Sequence, residues 1–275
     1  MSSQTPSTGA SRLAVVERLS PRGKLAAALA AYVVWTALTW LLEGRVRTLL
    51  RPEDVTGRLL YTGVANVLAG TILALWLAGA FTRSGFTSRS RLGFRSVGRT
   101  VGSVVVAAVL GGALYWLQRP PSMDPVVIAN AFAQVLPVST AEIVVCWIVV
   151  GGGVEAFLRA RGLGDRAGRT VALVVASALF GAYHLAHSPP FDNPETMAFL
   201  SVVSVGTGLF YFAGRSAYGA LVFHNVLALF GVTAALAAAG RLGAFRAPVT
   251  PLLATALVSL LVLVAAERRL VRDAA

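Results

Sequence analysis

The chain has 275 residues, is 56% hydrophobic and only 13% charged, and carries a formal net charge of +12, with a mean hydropathy of +0.71. A soluble domain of this size cannot cover so much apolar surface, whereas lipid can. The basic residues lie between apolar runs without a nucleic-acid-binding motif, so anionic lipid is the expected counter-charge and nucleic acid is not an expected partner.

Residues 1–23 are polar and Ser/Thr-rich, and no small-residue cleavage site follows a short apolar core. They read as a disordered cytoplasmic tail rather than a removed signal peptide. Eight apolar stretches follow, at about 25–42, 59–81, 101–117, 126–153, 170–187, 197–214, 217–240 and 250–266. Each approaches the ~20 residues a helix needs to cross a bilayer. None alternates as a β-barrel strand would. The fold class is therefore all-α, a polytopic transmembrane bundle of about eight spans over 24–266, with a short cytoplasmic tail at 267–275. Residues 82–99 allow an amphipathic surface segment, with Phe86, Leu92 and Phe94 among arginines, or a plain basic loop.

Lys and Arg set the expected orientation. With the N-terminus inside, 17 of the 24 basic residues fall on inner segments and 7 on outer ones. Both termini are expected in the cytoplasm, in the plasma membrane. The first outer loop departs from the rule, with Arg45, Arg47, Arg51 and Arg58 diluted by Glu43, Glu53 and Asp54. The single cysteine, Cys146, excludes an intrachain disulfide.

Chemistry is confined to a short list. All three histidines, His184, His187 and His224, lie in apolar runs, and such groups mark a functional site in a bilayer. His184 and His187 are three residues apart and share a helix face. His187 lies near the outer end of its span, where it is open to the interface. Among the acids, only Glu142 and Glu155 fall within or at the end of a span, both on the fourth. Glu155 precedes Arg159 by four residues, which permits an ordinary helix ion pair or an arginine holding a carboxylate ionised beside a histidine.

Three stretches then stand in order: GGGVEAFLRARG, LFGAYH and SAYGALVFHNVLAL. Together they resemble the motifs of CPBP-type intramembrane proteases, which include CAAX prenyl endopeptidases and bacteriocin-processing proteins. The family pattern is E-E-x-x-x-R, F-x-x-x-H and H-x-x-x-N/D on successive helices. The resemblance spans residues 137–235. It implies an endopeptidase in which Glu155 and His184 activate water, Arg159 fixes Glu155 and His224 stabilises the oxyanion.

Val154 stands where the family has its first glutamate, and Ala228 stands where it has Asn or Asp. Asn225, next to His224, projects about 100° away on a helix. The carboxylate role is therefore open between Glu155, favoured by the motif, and Glu142, favoured by height. The midpoint of 142 and 184 is 163, in the turn ARGLGDR. Gly151, Gly152 and Gly153 would have to break the helix to bring Glu155 deeper.

No cofactor is expected. The alternative is zinc on His184, His224 and Glu155, since two histidines and a carboxylate form a catalytic zinc set, although H-E-x-x-H is absent. Two other functions compete with peptide hydrolysis. One is a catalytically degenerate relative acting as a membrane scaffold or partner-binding protein. The other is a transporter with a histidine proton relay, which predicts a repeat the chain does not display. The peptide or protein substrate is not encoded in any motif.

Overall fold

The computed structural model describes residues 15–51 and 53–272. Among them, eight helices are long and apolar enough to cross a membrane: α1 (Pro21–Gly44), α2 (Val55–Arg83), α3 (Val97–Leu117), α4 (Pro125–Ala160), α5 (Asp165–Ala186), α6 (Pro194–Phe212), α7 (Ala217–Ala238) and α8 (Thr250–Val271). No strand occurs among the described residues. The chain is a polytopic all-α bundle, and each expected span is present.

Helix starts follow local chemistry. Ser20, Asp124, Asn193 and Ser216 cap α1, α4, α6 and α7 through side-chain oxygens that accept from backbone N–H groups of the first turn. Proline begins the first turn of α1, α4 and α6, where its missing N–H costs nothing.

Helix α4 is the central post. Its most apolar window is 89% buried, against 17% for α3 and 28% for α6 and α8. Residues 141–156 are buried without interruption. At 36 residues it runs ~54 Å, well beyond a ~30 Å hydrocarbon core, so it must tilt or project. The peripheral helices instead present Val105, Val109, Val202 and Leu257 outward, as lipid-facing surface requires.

The glycine run does not break α4. The helix winds wider from Ile143 to Gly151 and continues as a regular helix over Gly152–Ala160. It stops at Gly162, whose φ of 85° only glycine adopts without cost. The turn to α5 thus falls at the midpoint of residues 142 and 184, as expected.

Three segments differ from expectation. Residues 1–14 of the expected tail lie outside the described residues, but 15–18 form a helical turn, and Glu17 pairs with Arg83 Nε at 2.7 Å. The expected C-terminal tail continues α8 as helix through Arg272, with Glu267 fully buried; residues 273–275 lie outside the described set. The 82–99 connection is neither a surface helix nor a solvated loop. Phe86, Leu92 and Phe94 enter the main core, with Leu92 fully buried. Its arginines reach back to acids of α4 and α8 and to a carbonyl of the α6–α7 turn.

Candidate active site

Glu142 lies 18 residues before the end of α4, and His184 lies 19 residues after the start of α5. Antiparallel helices joined by a tight turn place such residues at one height, about 27–28 Å from the turn. The structure brings them together: His184 Nε2 is 3.9 Å from Glu142 Oε1. Glu142 Oε2 accepts from His224 Nε2 of α7 at 2.7 Å. All three are buried.

Hydrogen bonds fix each ring. His184 Nδ1 donates to Phe180 O, four residues earlier, at 2.9 Å. Its Nε2 is therefore the bare lone pair, turned to Glu142. Because His224 Nε2 donates to Glu142, its Nδ1 accepts, in this case from Thr207 Oγ1 of α6 at 3.2 Å. Phe180 packs edge-on against both rings, at 4.6 Å from His184 and 5.1 Å from His224.

His187 is not at an open interface. It is buried, and its Nδ1 donates to Glu43 Oε2 of α1 at 3.1 Å. Glu43 also accepts from the Ser188 N–H at 2.8 Å and from the Ser188 hydroxyl. This carboxylate is fully buried. By sequence it belongs to the first outer loop, although it directly follows Leu41 and Leu42 and ends an apolar run. Gly44 makes the contact possible, because a Cβ there would collide with the Ala186 carbonyl. Gly44→Val is accordingly expected to push α1 from the 184–188 segment. It should cost about 1–3 kcal/mol of stability and lower any activity of the site, as read by thermal unfolding and turnover of the purified variant.

The cluster borders a cavity of about 150 Å³ lined by α4, α5, α6 and α7. Its walls are mainly apolar, including Val135, Val138, Leu200 and Leu227, while Glu142, His184, His187 and His224 gather as its polar end. Ser139, one turn before Glu142, also lines it, and its buried hydroxyl has no partner. Ala228 lines the wall without a polar group. Asn225 points elsewhere and donates to Phe132 O at 3.2 Å.

Glu155 is not at this cluster. Thirteen residues of continuous helix separate it from Glu142, or ~20 Å. It accepts two hydrogen bonds from Arg215, one of them from Nη1 at 2.7 Å, and one from Arg91 at 3.3 Å. Arg159 is not its hydrogen-bonding partner and donates instead to Phe86 O at 3.0 Å. Arg215 stands in the α6–α7 turn with a φ of 51°, a costly backbone for a non-glycine residue. Burial alone lowers its pKa, but the bonds to Glu155 outweigh burial and the net shift is upward. The predicted pairing of Glu155 with His184 thus fails on geometry, and so does the zinc set that included Glu155.

Residues 154–230 match the family model described as type II CAAX prenyl endopeptidase Rce1-like. Over this stretch the chain is CPBP-like. The resemblance read from the three motifs is therefore supported over this stretch, which is similar to CAAX-type intramembrane proteases. It contains all three histidines. Glu142 and Glu43, the carboxylates that meet them, lie outside it. No curated protein and no solved structure gives a match to the chain.

Proposed function

We propose that the chain is an intramembrane endopeptidase in which Glu142 and His184 activate the attacking water. The observation that supports this is the 3.9 Å gap between Glu142 Oε1 and His184 Nε2, two acceptors facing each other at the polar end of an apolar cavity. A water seated between them donates one proton to each. Its lone pair is then free for a peptide carbonyl brought in along the apolar wall. The attack moves one water proton to this pair, and the departing amine takes it back.

His224 serves as the positioning residue in this reading. Its N–H is engaged with Glu142, so it orients that carboxylate, and Thr207 fixes its ring. The oxyanion needs another donor, because Ala228 has none. Ser139, unpartnered and on the cavity wall, supplies a hydroxyl there. Ser139→Ala is expected to lower kcat about 10²-fold with little change in KM. A change confined to KM would remove Ser139 from the mechanism.

The substrate enters from the bilayer, in a multi-pass protein of the plasma membrane with both termini in the cytoplasm and no nucleic-acid partner. The direct test is cleavage by purified protein in nanodiscs, with a farnesylated C-terminal peptide and an unlipidated transmembrane peptide as probes. Cleavage of either, lost in His184→Ala, supports the reading. Cleavage unchanged in His184→Ala would sink it.

A second reading, a degenerate relative that binds partners, draws on Val154 and Ala228. Val154 is a buried core residue at the far end of α4 from the histidines. Its missing carboxylate is thus no evidence against activity at Glu142, which leaves Ala228 as the feature favouring this alternative.

A further inference from the structure

We infer that Lys24 and Arg159 form a binding site for a phosphate-bearing anion, with the headgroup of an anionic phospholipid as the source the fold favours. A recess of about 400 Å³ opens where α1 starts and α4 ends, walled by Pro21, Lys24, the 84–86 turn and Arg159. A water takes up about 30 Å³, so a hydrated phosphate group has room there. Arg159 stands 17 residues beyond Glu142 on the same helix, or about 25 Å away. The recess is thus separate from the histidine cluster, and its role does not depend on the proposed hydrolysis.

Two cations line this recess without a counter-ion. Lys24 is the chain's only lysine, and it is buried, at 6% exposure. Among the described residues its ammonium has no hydrogen bond and no ion pair. Its Nζ lies over the Phe86 ring, 5.6 Å from the centroid. A buried charge is costly unless it is paired, and one ring face is only a partial partner. Arg159 donates from Nη2 to the Phe86 carbonyl at 3.0 Å, while its buried Nη1 has no partner. The nearby acids are engaged elsewhere: Glu155 with Arg215 and Arg91, Asp165 with Arg91, and Glu17 with Arg83. Helix ends do not decide the sign of the site, since the positive start of α1 meets the negative end of α4. The two side chains do.

A phosphate supplies what both groups lack. Its oxygens accept from an ammonium as a point charge and from a guanidinium through a planar fork of N–H groups. Position favours lipid as the source. Lys24 lies in the first turns of the first span and Arg159 in the last turn of the fourth, which is headgroup depth for helices that cross a bilayer. In the expected orientation this is the cytoplasmic leaflet, where anionic lipid draws basic side chains. Free phosphate has the same chemistry and is the other source.

The test uses the full-length protein in nanodiscs of phosphatidylcholine, of phosphatidylcholine with phosphatidylglycerol, and of phosphatidylcholine with inorganic phosphate added. Because Lys24 is the only lysine, acetylation of its peptide by an amine reagent, read by mass spectrometry, reports on the recess. Phosphatidylglycerol is expected to slow that acetylation several-fold in wild type, and Arg159→Gln should remove most of the protection. Retention of phosphatidylglycerol in native mass spectrometry should weaken about fivefold in Lys24→Met and in Arg159→Gln, and about 25-fold in the double variant. Arg241→Gln removes an exposed charge that pairs with Glu53, away from the recess, and should leave both readouts unchanged. Circular dichroism and monodispersity establish that each variant folds. Should Arg159→Gln fail to fold, the wild-type protection and Lys24→Met decide. Protection by phosphatidylglycerol alone assigns the headgroup, and protection by phosphate in phosphatidylcholine assigns the free anion; either supports the site. Equal acetylation in all three nanodiscs, or an equal loss of lipid in Arg241→Gln, would overturn it.

Discussion

Glu142→Gln is expected to abolish peptide cleavage while leaving the protein folded. Glutamine keeps the volume of the side chain and one acceptor for His224, whose bond of 2.7 Å holds the carboxylate in place. It cannot take a proton from water. Loss of a positioned general base lowers turnover by about 10²–10⁴-fold. His184→Ala should match it, because the two act as a unit on one water, and the double variant should lose little more than either alone. Single-turnover cleavage by wild type and the three variants measures this directly. Additive losses would mean that the two residues act in separate steps. A Glu142→Gln variant with full activity would return the role of base to another acid and end the case for a water held between Glu142 and His184. The result also bears on the family match. Glu142 lies outside residues 154–230, so its loss would show that the essential carboxylate of this chain stands away from the E-E-x-x-x-R position.

The eight spans and the antiparallel turn near residue 163 were legible because lipid imposes a simple rule on apolar length. The meeting of Glu142 with His184 was legible too, since helix rise converts sequence distance into height. Motif spacing pointed instead to Glu155. Bringing Glu155 to the histidines needs a break at Gly151–Gly153, but glycine only permits a break, and residues buried on all sides of α4 keep its hydrogen bonds intact. Glu43 was hidden for another reason. Its partner His187 is 144 positions away, and no local periodicity encodes a contact of that range. The inward turn of residues 84–96 was hidden likewise. An arginine-rich stretch reads as solvated until the acids that neutralise it are placed, and Glu155, Asp165 and Glu267 come from three distant helices.

Breaking the Glu155–Arg215 pair is expected to destabilise the fold and spare the chemistry. Both side chains are largely buried, at 3% and 11% exposure, and the pair ties the end of α4 to the α6–α7 turn. Removing Arg215 leaves the buried Glu155 carboxylate with only the longer bond from Arg91, at a cost toward the ~3–5 kcal/mol of a stranded buried charge. Arg215→Ala should lower the apparent Tm in detergent accordingly. Alanine still carries a Cβ at this left-handed position, so the backbone cost stays and offsets none of the loss. Glu155→Gln should cost less than Arg215→Ala, since the amide keeps an acceptor for the guanidinium. A paired replacement, Glu155→Leu with Arg215→Met, should recover much of the stability, because two apolar groups leave no charge stranded. Cleavage per folded molecule should stay near wild type in all three, as ~20 Å of helix separates this pair from Glu142. If Glu155→Gln instead abolishes cleavage with Tm unchanged, the glutamate of the motif reaches the histidines in the working enzyme, and α4 must then bend at its glycines during turnover.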